Sequence, residues 1–399
     1  MQICFFEDAL TSGLKPLTLT RPSNELRVGI FKIHEKWTKR LVATQYSQIL
    51  PPRMNGVFHA KEINEDEDCI WINGRFLPHE GIENLISNLK IDEGFTFNNI
   101  PVVIRMKGRR SAGLFKAGNV STTDISFDDI NVGYLLNQSW EIFHINEEEI
   151  KRDIKFLTGY SALNTDDFNG IHVMNESNVI IGKHVTIEPG VFIHASDGPV
   201  FIGNNVHIMA GTMIRGPVAI CEHTVLKMGS KMYGGTTLGP FCKIGGELNN
   251  VVIQGYSNKA HDGFLGNSVI GEWCNFGADT NNSNMKNNYS SVRLTDWESG
   301  REYDTELQFC GLIMGDHSKT AINSVLNTGT VCGVSSNIFS GKFPPKFIRS
   351  FRWMGPNGED IYKFDKAMET AEKMMKRRDV DLTPEYRAMM RHLFEKANT

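Results

Sequence analysis

The sequence lacks the charge imbalance, the cysteine pairs and the long apolar runs that would each indicate a particular class of protein. Lysine and arginine number 42 against 46 aspartates and glutamates, a net charge of −4 that argues against a dedicated nucleic-acid or membrane binder. Seven cysteines with no CxxC pair predict buried free thiols in a reducing compartment. No apolar run approaches the roughly 20 residues of a membrane span, and the acidic Glu7 and Asp8 come early for a signal peptide. We therefore expect a cytoplasmic protein.

What the sequence does contain is a six-residue repeat of aliphatic residues. The longest unbroken run comprises Ile202, Ile208, Ile214, Ile220, Leu226, Met232, Leu238 and Ile244. The same step occurs upstream, after allowance for an insertion of three residues, at Ile181, Ile187 and Ile193, and downstream at Phe264, Ile270, Phe276, Val325 and Val331. This period fits neither an α-helix nor a long alternating strand. It is typical of a triangular solenoid with one short strand per hexad and three hexads per coil.

The repeat resembles the hexapeptide-repeat, left-handed parallel β-helix family over residues 178–340. Before it, residues 1–150 alternate short apolar runs with helix-like stretches and predict an α/β domain, and residues 151–177 predict a linker. Residues 341–399 predict a tail with two helices, the second capped by Thr383 with Pro384 at its first position. The polar segment 280–306 predicts an excursion loop, in which the asparagines form turns.

One histidine stands in a motif that extends over about 25 residues. His261 is followed by Phe264-Leu265-Gly266, by the hexad Ile270-Gly271, by Asn275-Phe276-Gly277-Ala278 and by Asn284. A histidine on a loop beside a solenoid face is suited to act as a general base, because its pKa lies near neutrality.

This pattern resembles the acetyltransferase half of the bifunctional enzymes that make UDP-N-acetylglucosamine. These enzymes pair an N-terminal sugar-1-phosphate uridylyltransferase with a C-terminal β-helix that acetylates glucosamine-1-phosphate. The resemblance implies that His261 is the catalytic base and that acetyl-CoA is the donor. It also implies a homotrimer in which neighbouring subunits share the site.

The resemblance also implies a set of residues that bind the aminosugar phosphate. Asn275 and Asn284 would hold the base and the sugar, whereas Phe264 stands where the family has a tyrosine and lacks its hydroxyl. A basic position about thirty residues before the histidine falls near Lys231. A second one falls near Asn249, so that contact is missing or is supplied by Lys259. The implied substrate-binding residues are therefore Lys231, Lys259, Phe264, Asn275 and Asn284. For the phosphates of the donor, the basic tail residues are candidates, namely Lys342, Lys346, Arg349 and Arg352.

The N-terminal part carries a weaker pattern. The stretch Leu14-Lys15-Pro16-Leu17-Thr18, with Arg21-Pro22, resembles the phosphate loop of sugar-phosphate nucleotidyltransferases, which use an NTP such as UTP or dTTP and Mg²⁺. The sequence departs from that family at Glu7-Asp8-Ala9-Leu10, which replaces the glycines, and at Arg75, which replaces the carboxylate that binds the metal. Either a divergent site uses Lys15, Arg21 and Arg27 as its nucleotide-binding cations, or the domain has kept the fold and lost the chemistry.

The sequence thus predicts a transferase of sugar-nucleotide biosynthesis, a pathway that serves the cell envelope. The solenoid would transfer an acyl group to an aminosugar-1-phosphate, and the N-terminal domain a nucleotidyl group to a sugar-1-phosphate. Two alternatives stay open. The protein is a nucleotidyltransferase with a purely structural solenoid, or it is a non-catalytic assembly or regulatory subunit. The sequence does not specify the sugar, the base or the acyl group.

Overall fold

The structure is a computed structural model, which describes residues 2–58, 62–63, 66–108, 115–116, 119–120 and 124–398. The chain divides into two compact units, Met1–Leu26 with Phe31–Gln138, and Arg27–Ile30 with Ser139–Thr399. The division predicted at residue 150 therefore falls inside a helix of the second unit, Glu141–Asp153. This difference arises because the helix packs along the solenoid, a contact that the local sequence pattern does not reveal.

The first unit is built around a mixed sheet of six strands. In spatial order the strands are Ser126–Asp129, Glu93–Phe97, Ile100–Lys107, Asp68–Asn73, Gln2–Phe6 and Tyr46–Gln48. Shorter strands are Phe31–Lys32, the antiparallel pair Phe76–Leu77 and Tyr134–Leu135, and the antiparallel pair Phe115–Lys116 and Asn119–Val120. Its helices are α1 (Ile33–Arg40) and α2 (Ile82–Asn88), with short 3-10 turns at Ala9–Leu14, Leu17–Leu19, Ser23–Glu25 and Pro52–Met54. The α/β domain predicted from the alternating pattern is confirmed.

The second unit is a β-solenoid with three faces, which we call A, B and C. Face A contains Val179–Ile181, Val200–Ile202, Val218–Ile220, Thr236–Leu238, Glu247–Gly255, Phe264–Glu272, Leu312–Met314, Thr330–Cys332 and Phe347–Ile348, all parallel. Face B contains His172–Met174, Phe192–His194, Met213–Arg215, Lys231–Met232 and the first halves of Glu247–Gly255 and Phe264–Glu272. Face C contains Thr186–Ile187, His207–Ile208, Val225–Leu226, Lys243–Ile244, Asn258–Lys259, Lys319–Thr320, Asn337–Ile338 and Arg352–Gly355. On face C, bridges through Asn275 join Asn258 to Lys319. The predicted solenoid is confirmed.

The repeat positions form the core of this solenoid. The eight residues of the longest run, which begins at Ile202 and ends at Ile244, are each at most 1% exposed. Downstream, the coil from Leu238 to Ile253 is only 15 residues long, so the phase of the repeat changes. The inward residues there are Leu265 and Leu326, not the predicted Phe264 and Val325, and Val331 faces outward beside the inward Cys332.

The outer side of face A is covered by other elements of the second unit. Helix α3 (Glu141–Asp153) lies against its strands, and Asn146 Nδ2 donates to the Gly235 carbonyl at 2.8 Å and to Thr237 Oγ1 at 2.9 Å. The predicted excursion is present and forms an antiparallel hairpin of Arg293–Thr295 and Glu302–Asp304. The first asparagines of the excursion do not form the predicted turns, because Asn281–Asn282 form a short strand parallel to Val325–Leu326.

The remaining strands and the C-terminal helices complete the unit. The strands are Arg27–Val28, Ser161–Ala162 and Gly358–Ile361, and the 3-10 turns are Ile154–Phe156, Thr165–Asp167 and Glu176–Asn178. The two predicted helices are α4 (Phe364–Lys376) and α5 (Pro384–Ala397), and Thr383 Oγ1 caps α5 by accepting from the Tyr386 amide. Each of the seven cysteines is buried and free, as predicted. None of the described helices combines the length and apolarity needed to cross a bilayer.

Candidate functional site

A cavity of about 560 Å³ opens on face C, and the predicted base lies at its edge. Its floor consists of outward-facing residues from successive coils. These are Lys243, Asn258, Asn275 and Lys319, which pair with one another across the ladder. Outward and inward side chains alternate along each strand, so each of these positions on face C directs its side chain to the cavity. The stacking of coils therefore brings together residues that are 76 positions apart in the sequence, from 243 to 319.

The second wall of the cavity is the C-terminal part of α4 and the residues that follow it. Lys373, Met374, Arg377 and Arg378 line it. Arg378 Nη2 donates to Asn258 Oδ1 at 3.0 Å, so this wall is tied to the floor. The lining contains five lysine or arginine residues, and no carboxylate stands among the described residues that form it. Such a cavity is suited to an anionic ligand.

Burial and mutual repulsion act on the cations of this cavity. Burial lowers the pKa of Lys319 to about 8. Burial and the neighbouring Arg378 guanidinium lower the pKa of Lys243. The pKa of Arg378 is lowered by burial and by Arg377. A bound phosphate would relieve this repulsion, because it provides the negative charge that the cavity lacks.

His261 lies in the turn that leads from face C to face B. His261 is exposed and lines the cavity together with Ala260 and Asn275. Behind it, Gly277 approaches the backbone of Ala321 so closely that a Cβ atom at this position would clash. His261 and Asn275 therefore line the same cavity, and their roles stay predictions.

Lys259 has a different place from the one predicted. It occupies an inward position, is 2% exposed, and its Nζ donates to the carbonyls of His261 at 2.8 Å, Asp262 at 3.1 Å and Gly245 at 3.4 Å. Three acceptors match the three donors of an ammonium group. Since it is buried and satisfied by the backbone, Lys259 is not the substrate contact that the sequence predicted.

Phe264 and Asn284 lie together on the face B side of the turn. Both side chains converge over Gly266, where an added Cβ would come within 2.5 Å of the Phe264 ring and 2.8 Å of Asn284 Nδ2. Asn284 Nδ2 also donates to Asn267 Oδ1 at 2.8 Å. These two predicted residues are neighbours, and neither lines the face C cavity.

Lys231 also lies on face B, in the ladder that continues through Glu247 to Phe264. It is exposed and lines a second cavity of about 240 Å³. The residues around it are Phe192, His194, Met213, Ile214, Arg215, Met232 and Tyr233. Asn249, opposite Gly266 in the same ladder, is half-buried. The basic residue that the family has at that position is therefore not replaced by Lys259.

The three cations predicted to bind a nucleotide are divided between the two units. Lys15 and Arg21 belong to the first unit, where Lys15 is half-buried and Arg21 is 4% exposed. Arg27 belongs to the second unit, is 6% exposed and donates to the Ile30 carbonyl. Gln254 Oε1 accepts from the Arg27 amide at 2.7 Å. Arg27 therefore has a structural role in the second unit.

The position expected to bind Mg²⁺ in the first unit holds an ion pair. Arg75 is fully buried, and its Nη2 and Nε lie 2.6 and 3.0 Å from the two carboxylate oxygens of Asp8. Asn73 Nδ2 donates to the same carboxylate at 2.8 Å. In the described part of the chain no three His, Cys, Asp or Glu side chains cluster as metal ligands. The residues at this position therefore do not fit a catalytic metal.

Sequence reasoning missed the cations of the cavity. Lys243 and Lys319 occupy outward hexad positions, and Lys373, Arg377 and Arg378 form a basic run at the end of α4. The basic run is apparent in the sequence and could have indicated an anion-binding segment, but the sequence does not show that α4 packs beside face C. Of the four tail residues predicted for the donor phosphates, none lines this cavity, and Arg352 bonds instead to Glu359, Ala397 and Asn398.

Comparison with known proteins supports the predicted architecture. Residues 3–161 match the sequence profile of a family described as sugar nucleotidyl transferase. A bifunctional protein GlmU from Trichodesmium erythraeum is 28% identical over 149 residues, 37% of this chain and 27% of that protein. One from Synechococcus elongatus is 26% identical over 183 residues, 42% of this chain and 36% of that protein.

A third relative has two activities in its name. It is a bifunctional sugar-1-phosphate nucleotidylyltransferase/acetyltransferase from Sulfurisphaera tokodaii, 31% identical over 146 residues, 36% of each chain. The chain thus spans about a quarter to a third of the length of the relatives it matches. The profile match, these relatives and the solenoid fit the bifunctional family that the motifs resemble, and they support the predicted transferase class.

Proposed function

We propose that the second unit transfers an acetyl or related acyl group from a coenzyme A thioester to the amine of an aminosugar-1-phosphate. The observation that carries this proposal is the position of His261. Its turn joins the cation-lined cavity of face C to the Phe264–Asn284 surface of face B. An anionic donor and a sugar acceptor could therefore approach the same imidazole from two sides.

The chemistry follows from that arrangement. The amine nitrogen attacks the thioester carbonyl carbon, His261 accepts the proton that the nitrogen loses, and the C–S bond breaks. The thiolate leaves and takes up a proton, so the products are an amide and free coenzyme A. General-base catalysis of this kind contributes about 10²–10⁴-fold to a rate.

The cavity cations are suited to the phosphate groups of the donor. Lys243 and Lys319 on the floor, with Lys373 and Arg377 on the wall, provide charge-assisted hydrogen-bond donors. Asn275 lies between them, and its Oδ1 accepts from Asn258 Nδ2 at 3.4 Å. For the acceptor phosphate, Lys231 is the cation that shares a ladder with Phe264.

We propose that the active form is a homotrimer, in which a neighbouring copy completes the acceptor site. Face B supports this proposal because its outward apolar side chains are exposed, unlike those of face A. Met213 is 55% exposed, Met174 46%, and Phe192 and Tyr233 each 38%. Closed symmetric assembly is a common way to cover such a surface.

For the first unit we propose a sugar-nucleotide module without metal-dependent transfer. The profile match over residues 3–161 supports the nucleotidyltransferase fold, and the names of the relatives are consistent with sugar-nucleotide chemistry. The Asp8–Arg75 ion pair argues against a Mg²⁺ site at the expected position. We therefore expect no Mg²⁺-dependent pyrophosphate release from UTP or dTTP, and such release would contradict this part of the proposal.

The acyl transfer is tested by following thiol release from acetyl-CoA with glucosamine-1-phosphate and related aminosugar phosphates as acceptors. His261→Ala is expected to lower kcat by about 10²–10⁴-fold. His184→Ala is the matched control, since His184 is an exposed histidine of the same unit that lines neither cavity, and it should retain activity. Thiol release that survives in His261→Ala would overturn the assigned base. Wild-type protein that releases no thiol would favour a structural solenoid or an assembly subunit.

A further inference from the structure

The inward column of face C contains one charged residue. Ile208, Leu226 and Ile244 precede it on successive coils, and Lys259 follows Ile244 in register. All of these residues are at most 2% exposed. An aliphatic side chain is what this position takes in the three preceding coils, and Phe276 takes it in the next one. A buried ammonium is costly unless it is hydrogen-bonded, so its presence in this coil needs a specific reason.

The hydrogen bonds of Lys259 supply that reason. Two of its three acceptors, the carbonyls of His261 and Asp262, belong to the turn that carries the proposed base. The third is the Gly245 carbonyl, in the coil before it. The Asp262 carbonyl also accepts from the Asp279 amide at 3.1 Å, in the coil after it. The ammonium thus connects the turn to the solenoid from inside the core.

We propose that Lys259 is a positioning residue for acyl transfer, which holds the His261–Asp262 turn from within the solenoid and thereby sets the direction of the imidazole. This inference rests on the proposed function. Lys259 does not contact substrate, since it is buried, and its effect reaches the reaction only through His261. A lysine at position 259, where the preceding coils have an aliphatic residue, then reflects a requirement of the functional site and not of the core.

The decisive variant is Lys259→Met, because methionine already occupies an inward position of this column at Met354. We expect the melting temperature to change little, because the removal of a buried charge offsets the loss of its hydrogen bonds to three carbonyls. We expect kcat for thiol release to fall by about 10–100-fold, since a base displaced by about 1 Å loses that much rate. KM for the donor should change less than about twofold, because the cations of the cavity are untouched.

Ile244→Met is the matched control. It changes the size of the neighbouring side chain in the same column and removes no hydrogen bond from the turn. Its kcat should stay within about twofold of the wild type, as for other volume-conserving core changes. The inference is overturned if Lys259→Met retains full kcat, or if both variants lose kcat to the same extent.

A pH profile separates positioning from a general packing role. Burial lowers the pKa of Lys259 to about 8, while the carboxylates of Asp262 and Asp279 oppose that effect. Wild-type kcat should therefore decline above about pH 8, as the ammonium loses a proton and one donor. Lys259→Met should lack this alkaline decline. An identical decline in both proteins would assign it to another group and would overturn the inference.

Hydrogen exchange tests the inference independently of activity. If the wild-type protein releases no thiol with any acceptor, the proposed function fails, but the role of Lys259 in holding the turn can still be measured. Backbone amides of residues 260–266 should exchange faster in Lys259→Met than in the wild type or in Ile244→Met. Unchanged exchange in this segment would overturn the positioning role itself.

Discussion

At the scale of single residues, the cavity of face C contains a lysine whose ammonium group is destabilised by burial. Lys319 Nζ donates to the His317 carbonyl at 2.7 Å, yet burial lowers the pKa of its ammonium to about 8. An ordinary lysine has a pKa near 10.5. The folded protein therefore binds fewer protons here than the unfolded chain does between about pH 8 and 10.5. Lys319 alone makes folding more favourable as the pH rises through that range.

Donor binding should have the opposite dependence on pH. Near pH 8 about half of the Lys319 side chains are neutral in the free protein, and a bound phosphate raises the pKa of this group. Binding therefore takes up a fraction of a proton, and the affinity for coenzyme A falls as the pH rises above 8. Calorimetry at pH 8 in two buffers with different ionisation enthalpies measures this uptake. Lys319→Met should reduce it, and equal uptake in both proteins would contradict the assignment.

The pairing of Asp8 with Arg75 is also a property of single residues. Each departs from the nucleotidyltransferase pattern, and each taken alone indicates the loss of a family feature, the phosphate-loop glycines at Asp8 and the metal-binding carboxylate at Arg75. Together they form a bidentate pair in which the arginine is fully buried. The two departures compensate each other, since breaking such a pair at one side leaves a buried charge without its partner.

At the scale of elements, a row of stacked rings supports the cavity. His223, Phe241, Tyr256, Trp273 and His317 follow one another on successive coils, with ring centroids 4.3 to 6.2 Å apart. All five have φ between 54° and 62°, which places them at the tight corner before face C. Stacking offsets the cost of this backbone region for residues other than glycine. Tyr256 is held by this row where it lines the cavity.

Helix α4 supplies the outer cations of the cavity, and its contribution can be measured separately from the base. The double variant Lys373→Gln with Arg377→Gln should raise KM for the donor by about tenfold or more, because two charge-assisted contacts are lost. kcat should change little, since His261 is untouched. Steady-state thiol release gives both constants. Lys366→Gln, on the exposed first half of the same helix, is the control and should leave KM unchanged. Equal KM values in the double variant and the control would place the donor elsewhere.

At the scale of the whole molecule, the two other faces of the solenoid differ in how their outer sides are covered. Helix α3 and the hairpin of the excursion cover face A, so its outward Val252, Val269 and Ile313 are fully buried. Face B keeps the apolar side chains of Met174, Phe192, Met213 and Tyr233 in solvent, interspersed with His194, Arg215 and Lys231. A second copy of the chain is the occupant that the proposed trimer requires.

The proposed homotrimer can be tested on face B. Met213→Asp replaces the most exposed of these four apolar side chains by a charge, so it should convert the proposed trimer to monomers, which sedimentation velocity measures directly. Acyl transfer should fall with the trimer, because a neighbouring copy is proposed to complete the acceptor site. Ile361→Asp, which changes an equally exposed side chain outside face B, is the control. A wild-type monomer with full activity would contradict the shared site.

The sequence by itself determined the solenoid, the α/β unit before it, the two helices after it and the position of His261. Each of these depends on a local pattern, either a six-residue period, an alternation of short elements or a motif of about 25 residues. A local pattern survives folding because each coil repeats the same burial. The six-residue period did not predict the inward positions after the shortened coil between Leu238 and Ile253. There the inward residues are Leu265 and Leu326.

Only the tertiary structure decided what surrounds the predicted base. Lys319 and Arg378 are 58 and 117 positions beyond His261, and they reach its cavity because coils stack and α4 folds back. Asp8 and Arg75 are 67 positions apart, yet they share one ion pair. Lys259 is two residues from His261, but its direction into the core depends on the register with Ile244. Contacts between distant segments are set by packing and register, which no local period encodes.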